Sequence, residues 1–309
     1  MNKVLIGMDR SGSYRLYLTI TTDMVSEAMA LHHTSPTATA ALGRVLTGAG
    51  LMSLQLKEPE DRLTVQFRGD GPARSIVACG CGTGQIKGYI EDPAADLPQR
   101  ADGKLDVGGL LGTGDLTVIK DIGLKEPYSG TIALVSGEIA EDLTAYYYIS
   151  EQQNTSIALG VKVSREMEVT AAGGMFIQML PQAEEGAVDA LEAVMKEMHS
   201  VTSVVEKVQL GSAGLTEEGM LTKMCGEIFG GMPEEYRPET LEFREIELKC
   251  DCSGPRIERA LMAVGSETLK ELIEEDGEAE LSCRFCGKKY HFDKEELEKL
   301  LAEAQDKGK

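Results

Sequence analysis

The chain has 309 residues, with 31 Lys and Arg against 51 Asp and Glu, a formal net charge of −20. That length accommodates one large domain plus a smaller one with a sizeable core, and the charge argues against a nucleic-acid partner, because a phosphate backbone would be repelled. No apolar run reaches the ~18 residues of a membrane span, and the start Met1-Asn-Lys-Val-Leu carries no signal peptide, so the expectation is a cytoplasmic protein with no membrane partner.

Residues 1–180 read as an α/β core domain. Alternating or β-rich runs occur at Val4–Met8, Tyr14–Thr21, Leu63–Arg68, Ser75–Ala78, Leu116–Lys120, Gly130–Val135 and Ile157–Val163. Helical stretches fall between them at Asp23–His32, Ala38–Gln55 and Glu138–Ser150. Grouped strands with irregularly placed helices favour a mixed sheet over a doubly wound one, hence an α+β class. The glycine-rich runs Gly80-Cys-Gly-Thr-Gly84 and Gly108–Gly114 resemble phosphate loops but lack the following Lys-Ser/Thr and a strand–loop–helix setting. Cys79 and Cys81 read as small residues in or beside a strand. His32, His33 and His199 have no evident acid–base partner, and Tyr146, Tyr147 and Tyr148 read as packing residues of a helix.

Residues 181–238 read as a helical linker. Val188, Leu191, Met195, Met198, Val201, Val205 and Val208 recur at three- and four-residue steps, the stripe of an amphipathic helix from Gln182 to Gln209. Gly211, Gly214 and Thr216 break and restart it, and Met220, Leu221, Met224 and Ile228 continue the pattern before Gly230-Gly231. Cys225 on this second helix reads as packing. Half of the chain's 14 methionines lie between Met175 and Met232. Such a stripe is ordinary core by pattern, yet methionine is also the residue that promiscuous binding surfaces overuse. Met195, Met198, Met220 and Met224 are the candidates for that second role. An acidic, proline-containing stretch, Pro233–Pro238, ends the segment.

Residues 239–309 hold the strongest signal. Cys250-Asp-Cys252 and Cys283-Arg-Phe-Cys286 are two close thiol pairs, which can hold one metal ion or become two disulfides. Four soft ligands around a tetrahedral Zn2+ need no histidine, so His291 is superfluous. Gly287 can adopt the positive φ of a knuckle. Lys249, Arg284, Lys288 and Lys289 are placed to stabilise the charge of about −2 that four thiolates leave on one zinc ion. Around the cysteines, Pro255–Val264 and Ser266–Asp276 read as helices ended by Gly265 and Gly277, and Ala279–Ser282 with Lys289–Phe292 as a hairpin. Asp293 and Glu296 form a capping box for a last helix, Lys294–Ala302.

These residues resemble the zinc end of the bacterial redox-regulated holdase chaperones, the thirty-three-kilodalton heat-shock chaperonin family, whose hallmark is Cys-x-Cys followed by Cys-x-x-Cys. The resemblance covers nearly the whole chain. Gly69-Asp-Gly-Pro72, Gly108-Gly-Leu-Leu-Gly-Thr-Gly-Asp-Leu116, Ser150-Glu-Gln152 and Ala172-Gly-Gly-Met-Phe-Ile-Gln-Met-Leu-Pro181 all look like family blocks. It implies a non-enzymatic chaperone that binds unfolding client proteins without ATP. One zinc ion would be held on Cys250, Cys252, Cys283 and Cys286 when reduced, and disulfides Cys250 with Cys252 and Cys283 with Cys286 would form when oxidised, with a homodimer in that state. The methionines of the linker then become candidate client-binding residues, and 239–309 a redox-switch domain. Seven cysteines outside a secretory context fit a reducing compartment. Under the alternative reading the zinc is purely structural, in a scaffold or an enzyme, and oxidation only destroys function.

Overall fold

The structure, a computed structural model of the full chain, describes residues 2–198 and 200–307, so His199 lies outside the described residues. It divides into two compact units, Met1–Lys249 and Cys250–Lys309.

In the first unit β1 (Asn2–Asp9) and β2 (Tyr14–Ile20) lead into α1 (Thr22–His32) and α2 (Pro36–Ser53). A meander follows, with β3 (Arg62–Gly69), β4 (Ser75–Cys81) and β5 (Gln85–Ile90). Next come α3 (Val107–Leu111), β6 (Gly114–Asp121), β7 (Tyr128–Ala133), α4 (Ala140–Ser150), β8 (Thr155–Val163) and β9 (Val169–Met179). Three helices, α5 (Glu185–Glu197), α6 (Val201–Leu210) and α7 (Glu217–Phe229), precede β10 (Pro238–Leu248). The strands form one ten-stranded sheet in the order β7-β6-β3-β4-β5-β10-β1-β2-β9-β8. All its pairings are antiparallel except the short parallel one between β10 and β5, so the sheet is mixed, as the irregular spacing of helices implies.

α2 is the centre of the larger core. Ser35 caps it by accepting from Ala38 N at 3.1 Å, and Pro36 supplies the preset φ of a first turn. Nearly every residue after Pro36 is buried, which suits a helix that is small and apolar all round. At Gly43 a Cβ would stand 2.7 Å from Val25, and at Gly48 2.7 Å from Leu143, so glycine lets the neighbours close on the helix. Leu46, Leu51, Phe67, Leu116 and Tyr146 fill the space around it.

The two loop-like glycine blocks are packing devices. A Cβ on Gly69 would lie 1.9 Å from the Leu111 carbonyl oxygen, and Asp70 Oδ1 accepts from Thr113 N at 2.7 Å, so Gly69–Pro72 seats directly on the turn after α3. A Cβ on Gly84 would meet the Glu245 carbonyl oxygen at 2.0 Å. Cys79 and Cys81 lie in β4, with Cys79 Sγ 3.6 Å from Thr64 Oγ1 and Cys81 Sγ 3.0 Å from Thr83 Oγ1.

A second core lies over β1, β2 and β9. Leu5, Leu16, Leu18, Met175 and Ile177 meet Leu191, Val205, Val208, Leu221, Met224 and Phe229 from the three helices. The expected single helix from Gln182 to Gln209 is two, because the backbone turns extended at Met198 and Ser200, where the serine caps α6 by accepting from Ser203 N at 3.1 Å. Past the expected boundary at 239, β10 pairs with β1 along its length and carries the body to Lys249.

The second unit consists of α8 (Gly254–Val264), α9 (Ser266–Glu275), the hairpin β11 (Ala279–Ser282) with β12 (Lys289–Phe292), and α10 (Lys294–Lys307). Its core is small: Leu261, Leu269, Ile273, Ala279, Phe292, Leu297 and Leu300.

Candidate metal centre

The knuckle is built by the hairpin turn. Cys283 N donates to Lys288 O at 2.9 Å and Gly287 N to Cys283 O at 2.8 Å, with Gly287 at φ +68, a conformation that costs a glycine little. This loop turns Cys283 and Cys286 toward one point. Cys250 and Cys252 reach the same point from the stretch ahead of α8, where Arg256 Nη1 donates to Asp251 Oδ2 between them. The Asp293–Glu296 box is present, with Asp293 N donating to Glu296 Oε2 at 3.0 Å and Glu296 N to Asp293 Oδ1 at 2.9 Å, and it fixes the start of α10.

The four sulfurs all lie within 4.8 Å of one another. Cys250 Sγ is 3.7 Å from Cys283 Sγ, and Cys252 Sγ is 3.3 Å from Cys286 Sγ. A tetrahedron with metal–sulfur bonds of ~2.3 Å has edges of about 3.8 Å, so the spacing fits a four-thiolate ion and needs no further ligand. All four cysteines are free thiols, Cys283 buried and the others half-buried. His291 is turned to Glu278, 3.7 Å away, and takes no part. Of the basic neighbours, Lys289 pairs with Glu280 at 2.8 Å and Lys249 with Glu247 at 3.6 Å. Lys288 stands 5.1 Å over the ring of Tyr290.

Tyr290 is the residue that spacing did not reveal. Its hydroxyl is buried without a hydrogen-bond partner, and it lies close enough to the Cys252 sulfur to influence it. That contact, with burial, raises the tyrosine to about 12. Burial alone would raise the Cys252 thiol, but its interactions with Tyr290 and with the other three cysteines outweigh that and bring Cys252 down to about 7. Cys250 and Cys286 move the other way, chiefly through burial. Cys252 is thus the thiol of the quartet that gives up its proton most readily, toward the form that binds metal and meets oxidant.

The linker methionines sit elsewhere. Met224 is fully buried in the second core, while Met195, Met198 and Met220 are half-buried against it. Met198 also lines a groove of about 570 Å³ between α5, α6 and α7, with Val194, Val204, Ile228 and Met232. Cys225 is buried beside Met224, and burial pushes its thiol up to about 11. Among the described residues no helix is long and apolar enough to cross a membrane.

The family model described as Hsp33 protein matches residues 2–293. A 33 kDa chaperonin of Alkaliphilus oremlandii is 42% identical over 308 residues, covering 99% of this chain and 98% of its own length. One from Clostridium botulinum is 40% identical over 301 residues, covering 97% of each chain. The crystal structure of the 33 kDa chaperonin (heat shock protein 33 homolog) from Thermotoga maritima superposes with a TM-score of 0.85 at 33% identity, covering 99% of both chains. With the fold, the sulfur quartet and a match along nearly its whole length in agreement, the chain belongs to the Hsp33 family.

Proposed function

We propose that this protein is a redox-regulated, ATP-independent holdase chaperone, inactive while reduced and zinc-bound and activated by disulfide formation and loss of the metal. The observation that carries the reading is the convergence of Cys250, Cys252, Cys283 and Cys286 within 4.8 Å, in a chain whose relatives are 33 kDa chaperonins. Four soft thiolates favour zinc over the hard cations that oxygen ligands select. Bound there, the ion supplies folding energy and holds the sulfurs deprotonated.

The residues perform the switch. A thiolate of the quartet attacks peroxide, giving a sulfenic acid and hydroxide. The neighbouring thiol then condenses with it, forming a disulfide and releasing water. The partners are Cys250 with Cys252 and Cys283 with Cys286. Cysteines two apart have α-carbons at most ~7 Å apart, near the outer limit for a bridge, so the first pair must bend away from an extended course. Neither bridge is compatible with four ligands on one ion. The second unit then loses its metal and its order, and α5–α7, packed through Met195, Met198, Met220 and Met224, come free to hold apolar segments of unfolding clients in the cytoplasm. A homodimer accompanies the oxidised state.

The test is metal release and light scattering followed on one preparation under peroxide at elevated temperature. Zinc release accompanied by suppression of client aggregation is expected. Release without any gain of suppression would instead mark the site as purely structural.

A further inference from the structure

The methionines of α5–α7 and their junctions differ in what can reach them. Met224 is fully buried, whereas Met198 is half-buried and, with Met232, lines the groove of about 570 Å³ between the three helices. Met198 follows α5 in extended backbone, and Met232 follows α7, where its N–H donates to Phe229 O at 3.0 Å. An opening of that volume admits water, and with it a solute of nearly the same size, hydrogen peroxide. Of the aliphatic side chains on the wall, only methionine can be turned by such an oxidant into a polar one.

The rest of the wall has little to offer the product. Val194, Val204 and Ile228 are apolar. Ser200 Oγ already accepts from Ser203 N at 3.1 Å and stands 2.7 Å from Ser203 Oγ. Lys207 Nζ donates to Glu227, joining α6 to α7. A sulfoxide oxygen is a strong acceptor, and against an apolar wall it is costly unless it finds a donor. It either takes Lys207 from Glu227 or draws water between the helices, and both loosen α6 from α7.

We propose that Met198 and Met232 form a second oxidant-sensing site, a pair of thioethers whose conversion to sulfoxides lowers the threshold at which α5–α7 leave the body. The sulfur lone pair attacks one oxygen of hydrogen peroxide as the O–O bond breaks. Sulfur is oxidised by two electrons to the sulfoxide, and the other oxygen is reduced and leaves as water, carrying both protons. The cysteine quartet remains the gate: reduced and metal-bound, it keeps the protein closed at its working temperature, and the thioethers set how firmly the helices are seated behind it. Sulfoxides persist where a thiol reductant reopens disulfides, since a dedicated reductase is needed to remove them, so the site outlasts the exposure that set it. The consequence of the modification rests on the chaperone reading; its chemistry does not.

The test uses the full-length protein, exposed to hydrogen peroxide and then returned to the reduced, zinc-loaded state with dithiothreitol and zinc, keeping preparations in which all seven thiols are recovered. Mass spectrometry locates the sulfoxides, with Met167, 47% exposed between β8 and β9, as the marker of dose. Seating of the helices is read from the temperature at which Cys225 of α7 becomes half-alkylated by N-ethylmaleimide. Peroxide is expected to lower that temperature by about 4 °C or more, and methionine sulfoxide reductase to restore it. In a protein carrying Met198→Leu and Met232→Leu, substitutions that nearly conserve volume, peroxide should leave its own half-alkylation temperature unmoved, with circular dichroism establishing that it folds. Met198 still a thioether when Met167 is fully converted overturns the proposal. So does a sulfoxide at Met198 without any shift, or a shift that survives in the leucine variant. No client enters this readout. A protein that shows the shift yet never suppresses aggregation keeps the site and loses the chaperone reading, and one that suppresses aggregation on disulfide formation without the shift keeps the function and loses the site.

Discussion

The register of the second-unit hairpin pairs Tyr290 with Leu281 and brings its hydroxyl toward Cys252. A polar neighbour of a metal-binding sulfur is the kind of support whose removal typically changes metal affinity 10–100-fold. Tyr290→Phe, which keeps the ring under Lys288, is therefore expected to lose zinc to a competing chelator about tenfold faster, read by a colorimetric metal indicator. An unchanged rate would mean the hydroxyl supports only packing. The cysteine quartet was legible because each pair is local and the residue type itself carries the chemistry. Tyr290 was not, since its proximity to sulfur depends on a pairing register that spacing does not encode. Asp142 is a second case of the same kind. Its carboxylate, fully buried, accepts from Val135 N at 2.7 Å, Ser136 N at 3.0 Å and Gly137 N at 3.3 Å through one oxygen, and from Ile139 N at 3.0 Å through the other. It thereby ties the turn after β7 to the start of α4, two residues later than the expected start at Glu138. Asp142→Ala strands these donors and is expected to destabilise the body by roughly 3 kcal/mol or more, read from the urea midpoint.

Among the elements, those written in strong periodicity or β-branched runs were legible: β1, β2, β3, β6, β8, α1, α2 and the whole of the second unit. β9 was not, although it lies deep in the sheet. Its Ala171-Ala-Gly-Gly174 run lacks the bulk that marks a strand, because α6 and α2 press on it from both faces. A Cβ on Gly173 would meet Val205 at 3.0 Å, and one on Gly174 would meet Thr47 at 2.8 Å. β10 was missed for the opposite reason, since its repeated glutamates give no strand-like apolar run until β1 supplies a partner. The methionine stripe was legible as amphipathic helix, and in the folded state it is core. The proposed switch needs these helices to leave that core, and Cys225 would report whether they do. Buried, with its thiol pushed up to about 11, it is only sparsely a thiolate at pH 8, so the folded protein should be slow to alkylate there. After oxidation and warming, Cys225 is expected to alkylate at the rate of a free thiol, measured by mass spectrometry of the peptide that contains it. Continued protection would show α7 still seated. Met224→Ala, at a fully buried position, should cost about 2–5 kcal/mol of local packing and raise suppression of aggregation in the reduced protein.

At the scale of the molecule, two units of unequal self-sufficiency share one chain. The body has two cores and a ten-stranded sheet; the second unit has a single small cluster from Leu261 to Leu300. A domain of that size rarely gains more than ~3–5 kcal/mol from its core, whereas a structural zinc site contributes ~10–16 kcal/mol at pH 7. The metal term exceeds the packing term, so a zinc ion on the quartet would decide whether the unit is folded. Under the proposed switch, a protein that exposes apolar surface when one unit melts would have to resist precipitating, and the charge of −20 would supply the repulsion. Chelation of the reduced protein isolates the metal term from disulfide chemistry. Hydrogen exchange should then show β11, β12 and α10 losing protection on metal removal, while α2, β1 and β2 keep theirs. Restored zinc should return the protection in full, because no covalent bond has changed. If the hairpin stays protected without metal, packing among Leu269, Phe292 and Leu297 is enough to hold it. Zinc loss could not then be what unfolds the switch, and the trigger would have to reside in the disulfides alone.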